Sequence, residues 1–151
     1  MLEKRIPPLL LVLIIGAAMW GISTATSSVP LDDAVQNIVA GVMFLVGILF
    51  PVAGVAAFRR AKTTVDPRTP EASSALVCSG IYRFSRNPMY VGFAFWLVAW
   101  GVFLGPGWGL LGVVVFVVYM NHFQIAPEER ALRALFGDEF RAYEQRVRRW
   151  L

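Results

Sequence analysis

Charge is what this chain has little of. Of its 151 residues only 16% are charged while 57% are hydrophobic, a balance that excludes an ordinary soluble core. The charges are missing in blocks: no Asp, Glu, Lys or Arg falls in Ile6 to Leu31, in Ala34 to Phe58 or in Asn87 to Pro127. Cysteine is also nearly absent, and the single Cys78 excludes a structural disulfide and argues against a bound metal. The one histidine, His122, reads as a polar residue at a helix end more readily than as a catalyst. There is no internal repeat and no low-complexity segment.

The uncharged blocks are long enough to matter. Crossing about 30 Å of hydrocarbon at about 1.5 Å per residue takes about 20 helical residues, because backbone N–H and C=O groups find no water there. The first two blocks each hold one span and the third is long enough for two. Gly105-Pro106-Gly107 divides it into an antiparallel helical hairpin. The expected fold is therefore all-α: a polytopic membrane protein with four transmembrane helices and an amphipathic helical tail. Every one of the 14 Lys and Arg residues lies at the N-terminus, between Arg59 and Arg86, or in the tail. Four spans bring those three segments to one side, and the positive-inside rule makes it cytoplasmic, with both termini there and the protein in the cell (inner) membrane. The opposite face has only Asp32 and Asp33. The net charge of +4 thus reads as topology and contact with anionic lipid, not as nucleic-acid binding. Lys4-Arg5 and the apolar run that follows also resemble a signal peptide. A retained span is preferred, because the run is long and no clean small-x-small cleavage site follows it.

The chain divides into two unequal halves. Residues 1–58 read as a two-span scaffold in which Gly16, Gly41, Gly47 and Gly54 permit close helix packing. Residues 59–151 carry the polar chemistry: a loop with Pro67 and Pro70, the hairpin, and the tail. Pro88 suits the first turn of the third span, and Pro127 reads as a helix start that puts Glu128 and Glu129 at the favourable end of the helix dipole. In the tail, Gly137 separates two short helices. Phe140, Tyr143 and Val147 share one face while Arg141, Arg146 and Arg148 occupy others, which suits a membrane surface, as does Trp150.

The hairpin brings two polar clusters to one end of adjacent spans. Tyr82 to Tyr90 offers Arg83, Arg86, Asn87, two tyrosines and Phe84; Gln124 to Arg130 offers Gln124, Glu128 and Glu129. Together they form one candidate site opening to both lipid and cytosol. The plainer reading is an interfacial belt, with Tyr at headgroup level, Arg reaching phosphates and Glu capping a helix.

The run Gly80-Ile81-Tyr82-Arg83-Phe84-Ser85-Arg86-Asn87-Pro88-Met89-Tyr90-Val91-Gly92, followed by Glu128-Glu129, Leu132, Phe136-Gly137, Phe140, Tyr143 and Val147, resembles the isoprenylcysteine carboxyl methyltransferase family and its phospholipid methyltransferase relatives. The likeness covers Ala75 to Arg149. It implies a membrane methyltransferase that uses S-adenosylmethionine without a Rossmann fold, consistent with the lack of a Gly-x-Gly-x-x-Gly fingerprint. It places the cofactor against Ala75, Leu76, Val77, Tyr82, Asn87, Pro88, Met89, Tyr90 and Glu128. Gln124 and Glu129 fall on the substrate side, with Arg146 beside Tyr143 able to reach over the pocket. The residue types suit that ligand: a carboxylate for its α-ammonium and aromatic faces for its sulfonium. Members of the family often carry His at the position of Asn87, which can donate a hydrogen bond but cannot take a proton. The prenylcysteine enzymes carry Arg at the position of Gln124, so a prenylcysteine carboxylate suits this chain poorly as substrate.

The implied reaction is methyl transfer to a lipophilic acceptor: a phospholipid amine, a thiol, a carboxylate or a quinone-like ring. Two other readings remain, a membrane reductase of related core using NADPH and a non-catalytic membrane module that retains the motif.

Overall fold

The computed structural model describes residues 6–27, 29–61, 76–105 and 107–151. Lys4, Arg5, most of the polar loop, Ala75 and Pro106 of the hairpin turn lie outside them. Among the described residues five α-helices run in chain order: α1 (Pro8–Ala25), α2 (Asp33–Arg60), α3 (Pro88–Phe103), α4 (Leu111–Tyr119) and α5 (Ala126–Arg146). Short 3-10 turns, Gly80–Arg83 and Trp108–Leu110, precede α3 and α4, and a π turn, Met120–Ile125, joins α4 to α5. No strand occurs among the described residues.

Among the described residues three helical stretches are long and apolar enough to cross a membrane: Pro8–Ala25, Asp33–Arg60 and the continuous run Trp108–Arg146. Of the four spans the sequence suggests, the third is shorter. Helix α3 is apolar throughout but has 16 residues, about 24 Å at about 1.5 Å per residue. It nevertheless runs antiparallel to α2 along its whole length. The Gln36 side chain donates to the Phe103 carbonyl at 2.9 Å at one end, and Gly54 faces Pro88 and Met89 at the other. The outward faces are Leu, Ile, Val and Phe, among them Leu13, Ile38, Leu45, Leu49 and Val114, all well exposed. In water such a surface would be a liability; in hydrocarbon it is the solvated face.

Packing between helices relies on a few close backbone approaches. Pro51 sits inside α2 and has no N–H, so it cannot bond the Gly47 carbonyl one turn back. That carbonyl lies 2.6 Å from where a Cβ on Gly92 would stand, beside the Pro51 ring at 2.5 Å. Only glycine lets α3 come this near. Gly47 itself faces Trp96, and Gly54 faces Met89 and the Tyr82 hydroxyl, whereas Gly41 has open space around it. Of the four glycines expected to serve packing, Gly47 and Gly54 are therefore closely met, Gly16 stands in ordinary contact with Trp100, and Gly41 touches nothing. Helix α1 lies against both α3 and α4: Trp100 Nε1 donates to the Gly16 carbonyl at 2.9 Å, and Met19, fully buried, fills the space beside Gly101, Gly109 and Gly112. The central cluster joins Leu11, Ile15 and Met19 of α1 to Tyr90 and Leu97 of α3, Phe116 of α4, and Met120 and Ile125 of the π turn.

The tail breaks where expected. Gly137 has φ 52° and ψ −122°, a conformation that costs an L side chain about 1–3 kcal/mol. It turns the second half of α5 so that Phe140 and Tyr143 are buried, and the Tyr143 hydroxyl donates to the Tyr82 carbonyl at 2.7 Å.

Candidate functional site

Helices α3 and α4 lie antiparallel, so the start of α3 meets the end of the α4 run. There the Tyr90 hydroxyl donates to Glu128 Oε1 at 2.7 Å, and the Gln124 side-chain amide donates to the same oxygen at 2.5 Å. Gln124 Nε2 also stands 3.5 Å from the Tyr90 hydroxyl. Tyr90, Gln124 and Glu128 are 4%, 2% and 8% exposed. A carboxylate so far from water is costly unless donors converge on it, as the Tyr90 hydroxyl and the Gln124 amide do here.

The π turn makes this possible. Positions four apart on an α-helix drift by about 40° at 3.6 residues per turn. Over Phe116, Met120, Gln124 and Glu128 that drift would swing the last residue well off the face of the first. The i to i+5 bonding of Met120–Ile125 winds more slowly and takes the drift back, so all four are buried. Pro127 explains where the turn sits: it cannot donate to the Phe123 carbonyl, so a regular α-helical bond is lost there in any case. Glu128 and Glu129 do occupy the first turn of α5. The helix does not begin afresh at Pro127, however, and side-chain donors hold these carboxylates in place of a free helix end.

Around this cluster stand the other residues expected at the site. Val77 is buried with Ala57 and Tyr82, and Leu76 adjoins it. Tyr82 packs edge-on against Phe58 with ring centroids 5.3 Å apart. Burial, with the Tyr143 hydroxyl and Glu128 nearby, pushes its own hydroxyl well above the usual phenol range, so Tyr82 is a neutral hydrogen-bonding group and not a base. Pro88 is buried, and Met89 packs on the central cluster. Arg83 and Phe84 point outward and do not join the site.

Asn87 and Glu129 bond a segment that pattern reading treated as a membrane-surface anchor. After Arg146 the chain becomes extended at Val147 and folds across the start of α3. The Arg148 carbonyl accepts from the Arg86 backbone N–H at 3.0 Å. The Arg149 carbonyl accepts from the Asn87 amide at 2.9 Å and from the Ser85 hydroxyl at 3.4 Å. The Arg149 guanidinium grips both oxygens of Glu129, at 3.0 and 2.5 Å, and Arg86 adds a third contact at 2.8 Å. Trp150, expected at the lipid surface, instead donates from Nε1 to Asn121 at 3.0 Å and packs on the central cluster. Its amphipathic setting was legible, but the pairing of Arg149 with Glu129 was not, because the two lie 20 residues apart with a kink between. Arg146 is exposed and donates to the Ala142 carbonyl of its own helix at 3.1 Å. Ser85, fully buried, also accepts from the Asn87 N–H at 3.1 Å; a small hydroxyl between two arginines gave no sign of this role. No cluster of His, Cys, Asp and Glu suited to a metal occurs among the described residues.

Cys78 lies beside the site, half-buried, where burial and Glu139 raise its thiol pKa and Arg146 opposes them. Since the thiolate is the nucleophile, a raised value means less reactive form at neutral pH. Alkylation of Cys78 by iodoacetamide is expected to be slower at pH 7 than that of a free cysteine and to climb steeply above pH 9. Glu139→Gln should speed it and Arg146→Ala slow it further; a rate equal to that of free cysteine across the pH range would contradict this placement.

A model of the phospholipid methyltransferase family matches residues 35–139. Among curated proteins, an uncharacterized protein of Haemophilus influenzae is 49% identical over 63 residues, which is 42% of this chain and 100% of that protein. A probable protein-S-isoprenylcysteine O-methyltransferase of Oryza sativa subsp. indica is 34% identical over 110 residues, 70% of this chain and 56% of that protein. Methanethiol S-methyltransferase 1 of Bradyrhizobium diazoefficiens is 42% identical over 67 residues, 44% of this chain and 22% of that protein. The alignments with these two methyltransferases thus cover about half or less of their length. No solved structure matches the chain. The matched stretch takes in α2, α3 and α4, and with them all three members of the buried Tyr90, Gln124 and Glu128 cluster, and it shows that the chain belongs to the phospholipid methyltransferase family.

Proposed function

We propose that the chain transfers a methyl group from S-adenosylmethionine to a lipophilic acceptor at the cytoplasmic face of the membrane, with α3 as a fourth span. The observation that carries the reading is the buried Glu128 carboxylate, held by the Tyr90 hydroxyl and the Gln124 amide at 2.7 and 2.5 Å.

The donor set fits the cofactor. A buried carboxylate suits an α-ammonium, and Tyr82 and Tyr90 supply aromatic faces and hydroxyls for a sulfonium and a ribose. When bound, S-adenosylmethionine supplies a methyl group already activated by its sulfonium. The chain's own residues then need only bind, orient and keep out water. Glu128 fixes one end of the ligand, Tyr90 and Gln124 fix Glu128, and Leu76, Val77, Pro88 and Met89 form an apolar surround. No side chain is assigned the role of base: Asn87 takes no proton, and Tyr82 stays neutral.

A lipophilic acceptor is supported by a groove of about 390 Å³ between α1 and α3, lined by Val12, Leu13, Gly16, Ala17, Trp20, Trp96, Leu97 and Trp100. Tyr90, Phe93 and Trp96 form an aromatic ladder from the polar cluster to that groove, with ring centroids 6.4 and 5.3 Å apart. The basic residues near the polar end support a cytoplasmic orientation. The test is calorimetric titration of the detergent-purified chain with S-adenosylhomocysteine, then methylation of a lipid extract with labelled cofactor. Saturable binding and a labelled lipid product are expected. A folded chain that binds nothing defeats the proposal.

A further inference from the structure

The two glutamates of the pair are treated differently by the fold. Glu128 faces Tyr90 and Gln124, whereas Glu129 faces three guanidinium groups: Arg86 at 2.8 Å, Arg149 at 2.5 Å and Arg133 at 3.6 Å. Arg149 differs from the other two in what its backbone does. Its carbonyl takes the Asn87 amide and the Ser85 hydroxyl, so one residue holds the end of the glutamate pair and the turn that enters α3. The two carbonyls before it extend the hold, Arg148 taking the Arg86 N–H and Val147 taking Arg86 Nη1 at 3.1 Å, and after it the Trp150 indole N–H donates to Asn121.

We infer that Arg149 is a positioning residue for the cofactor site: it locks Glu129 to the Ser85–Asn87 turn and so fixes the separation of Tyr90 and Glu128. This rests on the reading of Glu128 as the ligand-binding carboxylate. Tyr90 follows that turn by one helical turn, and Glu128 is the chain neighbour of Glu129, so neither can shift without the Arg149 clamp opening. A bidentate guanidinium sets angle as well as distance, which a single ammonium cannot do. Glu129 is therefore a fixed point of the fold, next in the chain to the Glu128 carboxylate that the proposed function sets against the ligand.

The test titrates the full chain, in detergent, with S-adenosylhomocysteine and follows thermal melting in parallel. Arg149→Ala is expected to weaken binding about tenfold at an almost unchanged melting temperature, because Arg86 and Arg133 still neutralise Glu129. Arg149→Lys should recover part of the loss by holding one carboxylate oxygen. A folded Arg149→Ala chain that binds as tightly as the unaltered one overturns the inference. If Arg149→Ala does not fold, Arg149→Lys, which keeps the charge but gives up the two-point grip on Glu129, carries the test: weaker binding supports the clamp and unchanged binding overturns it. Failure of the unaltered chain to bind would instead defeat the proposed function, and this inference with it.

Discussion

Glu128→Gln is expected to raise the dissociation constant for S-adenosylhomocysteine by roughly 100-fold and to abolish methyl transfer, with the fold retained. The substitution keeps the shape of the side chain, so the Tyr90 hydroxyl and the Gln124 amide can still find an oxygen at the same place. What disappears is the buried negative charge that the proposed function sets opposite an α-ammonium. Removing one partner of a desolvated charge pair costs about 2–5 kcal/mol, and about 2.7 kcal/mol corresponds to roughly 100-fold. Calorimetry reads the affinity and thermal melting the fold. Undiminished affinity would show that the carboxylate serves packing alone, which is the non-catalytic reading of the motif. Gln124→Ala should have a smaller effect of the same sign, since it leaves the charge and removes one of its donors.

The largest effect on stability is expected away from the polar cluster, at Gly92. A Cβ there would stand 2.5 Å from the Pro51 ring and 2.6 Å from the Gly47 carbonyl. Neither neighbour is the free end of a flexible side chain, so the helices themselves must part. Gly92→Val is expected to cost about 3 kcal/mol and to lower the melting temperature in detergent, and because Tyr90 sits two residues earlier, to weaken ligand binding as well. Gly41→Val is the control: nothing lies within 4 Å of its added Cβ, and a lipid-facing change of this kind should stay within about 0.5 kcal/mol. Equal melting temperatures for the two variants would contradict the α2–α3 packing described above.

How much of this was legible in the residues depends on whether the determining interaction was local. The absence of charge from three long blocks requires helices in hydrocarbon whatever the rest of the chain does, since backbone groups there must bond within their own segment. The Gly137 break and the start of α3 at Pro88 were readable for the same reason, because each follows from one residue's backbone preference. The polar site was readable only in outline. Antiparallel spans had to bring Tyr82 to Tyr90 near Gln124 to Glu129, but which groups would touch was not fixed by that rule. The resemblance grouped Asn87 with the cofactor residues and Glu129 with the substrate. Their partners in the structure are the Arg149 carbonyl and guanidinium, on a segment that composition assigned to the lipid surface. The length of α3 and the π turn also escaped pattern reading, since both depend on how the helices pack.

Pattern alone therefore determined that the chain is helical and suited to a membrane, with its basic residues gathered in three segments and polar residues at one end of its hairpin, because hydrophobicity and backbone propensity act residue by residue. Tertiary structure decided which glutamate is enclosed by arginines and which faces Tyr90 and Gln124, and that Gly92 and Gly47 are the places where α2 and α3 meet. Those outcomes turn on distances of a few tenths of an ångström between residues far apart in the chain. Such distances are set only when the π turn, the approach of Gly92 to Pro51 and the Gly47 carbonyl, and the Arg149 clamp are in place together.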